Sequence, residues 1–180
     1  AQFDKGYWVW YTESEFYREG QELFSIGDKV VYPMHGAGVI EAIEEKEVLG
    51  ERKQYYILRF PMGNLKVMVP IANGHEIGLR RVIDAEGVQK VFRILGEKST
   101  TMSSNWNQRY KANLEKMRSG NIYEVAEVVR NLARRDREKG LSSGEKRMLE
   151  NARQILISEL ALAAGMGREQ AQALVDRACM

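Results

Sequence analysis

Apolar positions recur along this chain with two different periods, and the change falls near Ile83. Across residues 24–83 they come in short runs broken by turn residues, the mark of strands. Lys29–Tyr32 predicts a first strand, stopped by Pro33. Gly36-Ala37-Gly38 then lets the backbone bend into a half-buried strand over 39–43, extended through Glu47. Leu49-Gly50-Glu51 turns it, residues 54–60 return, and Pro61-Met62-Gly63-Asn64 turns again. Leu65–Pro70 alternates, with Leu65, Val67 and Val69 on one face and Lys66 and Met68 on the other. About five short strands in some sixty residues predict a small, strongly bent barrel of the SH3 or Tudor kind. Such a barrel usually leaves a strand edge open, and an open edge can accept a strand from a partner.

Past Ile83 the period is helical. Asp84 caps a helix through Leu95, with Val88, Val91, Phe92 and Leu95 facing inward. A polar, Ser/Thr-rich connector over 96–104 leads to Asn105, a second cap, with Gln108 placed to reach back as in a capping box. Ser119-Gly120 ends that helix, and Asn121 with Glu124 starts the next, which Gly140 closes. Ser142 with Glu145 is an S-x-x-E capping box opening a long helix to about Ala164. Gly165 and Gly167 end it, and 168–179 form a short last helix. The expected class is therefore α+β: an SH3/Tudor-like β-barrel over 24–83, then an all-α bundle of about five helices over 84–180. Residues 1–23 stand apart, crowding seven of the sixteen aromatic side chains into one stretch around Tyr7-Trp8-Val9-Trp10-Tyr11. They read as an extension or leader, and no function is assigned to them.

Trp106, in the first turn after Asn105, can be read in two ways. With Tyr110, Leu114 and Met117 it falls at i, i+4, i+8 and i+11, one apolar stripe, and spacing alone favours a place in the core. Equally, it stands beside Arg109, Lys111 and Lys116 at a positively polarised helix end, a grouping that suits phosphates and an unstacked base step.

Charge adds an asymmetry. The formal net charge is only +2, but residues 1–23 carry two basic and five acidic side chains, while 97–180 hold 15 Lys/Arg against 11 Asp/Glu. That surplus would give weak, salt-sensitive binding to a polyanion, so a larger partner is expected to supply most of the affinity. The run Arg134-Arg135-Asp136-Arg137-Glu138-Lys139 mixes both signs and reads first as a solvated face with local ion pairs. Its unpaired members, with Lys146 and Arg147 on the neighbouring helix, are candidates for a phosphate-facing patch.

Catalytic chemistry is sparse. His35 and His75 each lie in a predicted turn without a second ligand at metal spacing, and Cys179 is the single cysteine. Gly36-Ala37-Gly38 leads into a strand instead of a helix, which makes it weak as a nucleotide fingerprint. The expectation is a non-enzyme without cofactor or metal. The sequence shows neither a signal peptide nor an uncharged run of membrane-spanning length, which points to a cytoplasmic protein.

With both halves laid out, the chain over 24–180 resembles the CarD family of bacterial transcription regulators, whose N-terminal domain is shared with transcription-repair coupling factors. The resemblance is carried by Gly27-Asp28-Lys29-Val30-Val31-Tyr32-Pro33, by His35-Gly36, and by Trp106 followed by Arg109-Tyr110-Lys111-Ala112-Asn113-Leu114-Glu115-Lys116. Val125-Ala126-Glu127-Val128-Val129-Arg130 and Gly144-Glu145-Lys146-Arg147-Met148-Leu149 continue it. It implies a protein, expected to be monomeric, that binds the β subunit of RNA polymerase through its Tudor-like domain and contacts promoter DNA at the upstream edge of the bubble. Trp106 fills the place of the family's minor-groove wedge, which reverses the preference drawn from spacing. The implied DNA-contact residues are Trp106, Arg109, Lys111, Arg135, Lys146 and Arg147, with low sequence specificity because cations read phosphates. The implied polymerase-contact residues are Lys46, Val48 and Met68. Relatives often carry arginine at two of these, and Met68 cannot make arginine's bidentate bond to a carboxylate. Gln108 stands where some relatives have a second arginine. The competing expectation is an adaptor on RNA polymerase without DNA contact, with Trp106 buried.

Overall fold

A computed structural model describes residues 23–61 and 63–180; the aromatic leader lies outside them apart from Leu23. Five strands, β1 (Lys29–Tyr32), β2 (Gly36–Val48), β3 (Glu51–Phe60), β4 (Leu65–Pro70) and β5 (Arg80–Arg81), form one antiparallel sheet in the order β4-β3-β2-β1-β5. A 3-10 turn (Ile71–Asn73) and the one-turn helix α1 (Gly74–Ile77) join β4 to β5. Five helices follow: α2 (Ala85–Gly96), α3 (Trp106–Arg118), α4 (Ile122–Lys139), α5 (Ser143–Ala164) and α6 (Arg168–Ala178). The α+β class is as expected. Strand β2 begins at Gly36, earlier than its apolar run suggests, and the two-residue β5 has no signal in the pattern.

Register explains which residues are buried. Tyr56 lies opposite Val69 and Leu58 opposite Val67, and these pairs face a core completed by Val30, Ile40 and Phe60. Ile57 opposite Met68 points to the other face, as the alternation of Leu65–Pro70 requires. A bulge between Ile40 and Ala42 leaves Glu41 as the extra residue, where it meets Lys66 at 2.7 Å and Arg59 at 3.8 Å. In the helical half α4 and α5 supply most of the core, through Val125, Val128, Val129, Leu132, Leu156 and Leu160.

The two halves are joined by polar contacts on α5. Ser158 Oγ accepts from the Ala37 N–H at 2.9 Å and donates to the Ile155 carbonyl at 2.7 Å. Gly36, at φ 103°, sits so close that a Cβ would lie 2.6 Å from that hydroxyl, so no side chain fits there. Next to it Glu159, with no exposed surface, accepts two bonds from the Arg80 guanidinium, at 2.7 and 2.9 Å, and a third from the Ile83 N–H at 3.0 Å. Arg80 Nε donates in turn to the Gly120 carbonyl between α3 and α4, at 2.9 Å. One carboxylate thus gathers β5, the β-to-α junction and the α3–α4 turn, and a buried charge with three charge-assisted bonds tolerates little movement.

Candidate nucleic-acid interface

Helix α3 begins where Asn105 Oδ1 accepts the Gln108 N–H at 3.2 Å. The return bond of a full capping box is not made. Ser103 intercepts both groups, accepting the Asn105 N–H at 3.2 Å and donating to Gln108 Oε1 at 2.9 Å. Trp106 is the first helical residue and keeps 43% of its surface exposed. Its indole stacks on Tyr110, with centroids 5.2 Å apart and planes 23° from parallel, and Nε1–H donates to Ser142 Oγ at 2.8 Å. The apolar stripe is therefore graded, from the enclosed Met117 through half-buried Leu114 and Tyr110 to an exposed Trp106.

Ser142 caps α5, and its hydroxyl is saturated. It accepts from Trp106 Nε1–H and from the Glu145 N–H at 3.2 Å, and donates to Glu145 Oε2 at 3.0 Å. Glu145 Oε1 accepts from Arg109 Nε at 2.6 Å, and Arg109 Nη1 reaches back to the carbonyls of Ser103 and Ser104, at 2.8 and 3.1 Å. A closed ring of bonds, Trp106 to Ser142 to Glu145 to Arg109 to the residues before Trp106, fixes the indole at the surface.

Arg109 requires a correction. Expected among the phosphate-facing cations, it is 4% exposed and its charge is taken by Glu145, so its guanidinium holds the site together from inside. Lys116 is likewise paired, with Glu127 at 2.9 Å. Lys111 on α3 and Lys146 and Arg147 on α5 are exposed, with no ion pair or hydrogen bond among the described residues, and Arg147 lines a groove together with Tyr110, the ring stacked on Trp106. Arg135 is half-buried on α4, its Nε enclosed without a hydrogen-bond partner among the described residues.

Other arginines of α4 also reach neighbouring helices. Arg130, 2% exposed, donates to the Ile94 carbonyl at 3.0 Å, Arg134 to the carbonyls of Leu95 and Glu97, and Arg137 to those of Cys179 and Met180. These guanidiniums tie the ends of α2 and α6 to α4, while Asp136, Arg137, Glu138 and Lys139 remain exposed, as a solvated face requires. Asn131 and Glu127 hold Thr100, in the middle of the connector to α3. Mixed charge in a helix does not reveal which of its arginines meet another helix's last carbonyls, and this set was not legible beforehand.

Burial alone would raise the Glu145 carboxyl. Hydrogen bonds from Arg109 and from the Ser142 backbone and hydroxyl, with the charge of Arg109, outweigh it and hold the group below its ordinary range. A depressed acid contributes stability above its unfolded value and loses it as pH falls through the folded one. We therefore expect wild type to melt higher than Glu145→Gln at neutral pH, with the gap closing progressively below about pH 4.5. Thermal melts of both proteins across that range check it; a gap constant with pH would mean the ionised carboxylate is not what stabilises.

On the sheet, Lys46, Val48 and Met68 fall on one face, since the β2–β3–β4 register runs without a break from Ala42 to the hairpin tip. Lys46 meets Glu44 at 3.0 Å, while Val48 and Met68 are 41% and 45% exposed. Beyond them Leu49, wholly exposed and left-handed at φ 53°, forms the tip of the hairpin with Gly50. Strand β4 is an end strand, bonded on one side only among the described residues.

Two family models match the chain: the CarD-like/TRCF RID domain over residues 24–83, and the C-terminal domain of CarD over 90–176. The Bacillus subtilis (strain 168) protein YdeB, named as a transcription factor, is 45% identical over 148 residues, covering 82% of this chain and 97% of its own. Among solved structures, the 72-residue N-terminal domain of Myxococcus xanthus CarD, determined by solution NMR, is 33% identical, with 35% of this chain and 84% of that one covered and a TM-score of 0.30.

Proposed function

The chain belongs to the CarD family of transcription factors, and on that premise we propose that it stabilises the open promoter complex by bridging RNA polymerase and DNA. Its N-terminal RNA-polymerase-interacting domain would meet the β subunit through the face that bears Lys46, Val48 and Met68, beside the open edge of β4. With Met68 in place of a cation, that contact rests on fewer charges and more apolar area.

The observation that carries the DNA half is the state of Trp106: an aromatic ring held by a stack and a hydrogen bond and still 43% exposed. An adaptor with the tryptophan in its core does not fit that geometry. A rigid exposed indole, with unpaired Lys111, Lys146 and Arg147 on the two helices that hold it, suits a wedge in the minor groove, with the cations on phosphates and little base readout. Unstacking a base step costs about a few kcal/mol, offset when the distorted DNA is the form polymerase requires.

The test is open-complex lifetime on a bacterial promoter with cognate polymerase. Trp106→Ala removes an exposed ring and is expected to fold normally and bind polymerase as before, yet to shorten the lifetime about tenfold, some 1.4 kcal/mol of the wedge's effect. Equal lifetimes for the two proteins, both bound to polymerase, would sink the wedge.

A further inference from the structure

Next to the indole, α3 and α5 enclose a groove of about 480 Å³, within the range of small-ligand sites. Tyr110, Leu114 and Met117 line it from α3, Met148 and Asn151 from α5, and Met34 reaches in from the β1–β2 turn, at a left-handed φ of 68°. We infer that this groove takes a nucleobase unpaired from the strand that Trp106 opens. The inference rests on the wedge reading and adds a destination for the displaced base.

Six features support it. The groove begins where the wedge ends, because Tyr110 both stacks on Trp106 and lines the groove. At its lip stands Gly144, where a Cβ would lie 3.6 Å from each of the two rings, so the backbone of α5 comes close to the aromatic pair. Its walls are aromatic and thioether groups, which accept the flat face of any base. The Asn151 amide, exposed and without a hydrogen-bond partner among the described residues, offers a donor and an acceptor to a base edge. Arg147 lines the same groove with no ion pair, and Lys146 and Lys111 add unpaired positive charge on the two helices, complementary to the strand that would carry the base. Met34 occupies a backbone conformation unfavourable for a side chain of its type, and the position aims it into the groove.

The experiment compares the full chain on two DNAs of one sequence, a paired duplex and a forked duplex with 2-aminopurine at the first unpaired position. Anisotropy gives affinity, and 2-aminopurine fluorescence reports the environment of the free base. Wild type is expected to bind the fork about tenfold more tightly than the duplex, the effect of one stacked base, and to change its fluorescence. Asn151→Phe fills the groove from an exposed position and leaves Trp106 untouched. It should retain duplex binding but lose the fork preference and the fluorescence change. Asn151→Ala, which cannot crowd the fold, should lower the fork preference severalfold. A preference that survives Asn151→Phe, or is missing in wild type, overturns the inference. If wild type lacks the preference yet prolongs the open complex through Trp106, the groove alone is refuted; if it does neither, the wedge falls with it.

Discussion

Arg109→Met is expected to cost about 3–5 kcal/mol of folding stability, although the residue sits one turn from the exposed Trp106. The side chains of Arg109 and Glu145 are 4% and 2% exposed, so removing the guanidinium leaves a buried carboxylate with only Ser142 to answer it. The loss should appear as a lower urea midpoint in circular dichroism. Replacing both, Arg109→Met with Glu145→Met, should recover part of it, because an apolar pair leaves no charge stranded. A double variant no more stable than the single one would mean that Glu145 is not what the mutation orphaned. The same substitution frees the Ser103 and Ser104 carbonyls that steady the start of α3. In a Trp8→Phe, Trp10→Phe background, where Trp106 is the one indole left of three, its fluorescence should become less anisotropic.

The second large effect lies at the joint between the halves. Glu159→Gln keeps the size of the side chain but removes the charge that holds Arg80, and should cost about 3 kcal/mol. It is expected to leave binding to polymerase and to duplex DNA, measured separately, within about twofold, because both faces are remote from the substitution. The open-complex lifetime should nevertheless fall towards that of polymerase alone. A full lifetime effect with a loosened joint, seen as a broader small-angle scattering profile, would show that the two faces act independently.

Features that depend on near neighbours were legible in the sequence. Asp84, Asn105, Asn121 and Ser142 each accept a backbone N–H two or three residues ahead, and such a cap needs no knowledge of the rest of the fold. The alternation of Leu65–Pro70 was legible for the same reason. Arginine placement was not, because one side chain serves equally as a surface charge or as a clamp on a distant carbonyl. Arg109, Arg130 and Arg134 became clamps only once α2, α3 and α5 closed around α4. Gly36-Ala37-Gly38, read as a bend, is instead the start of β2, with the turn just before it at residues 33–35, and the approach of Ser158 that forbids a side chain at Gly36 could not be seen from within that tripeptide. Trp106 fell between the two cases. Its periodicity points inward, yet α3 meets α5 near the latter's first turn, and that contact covers only part of the ring.

The carboxylate of Glu159 also bears on how weak the proposed DNA contact can be. Two binding faces on a flexible tether share an encounter volume set by the linker, and much of that volume is unproductive. Here the junction is short and pinned by three bonds to one buried group, so docking one face delivers the other already oriented. On the proposed function, the effective concentration of Trp106 at the DNA would then be set by a strut instead of a coil. A wedge with few cations around it can act under those conditions with an intrinsic affinity that would be negligible for the free helical half.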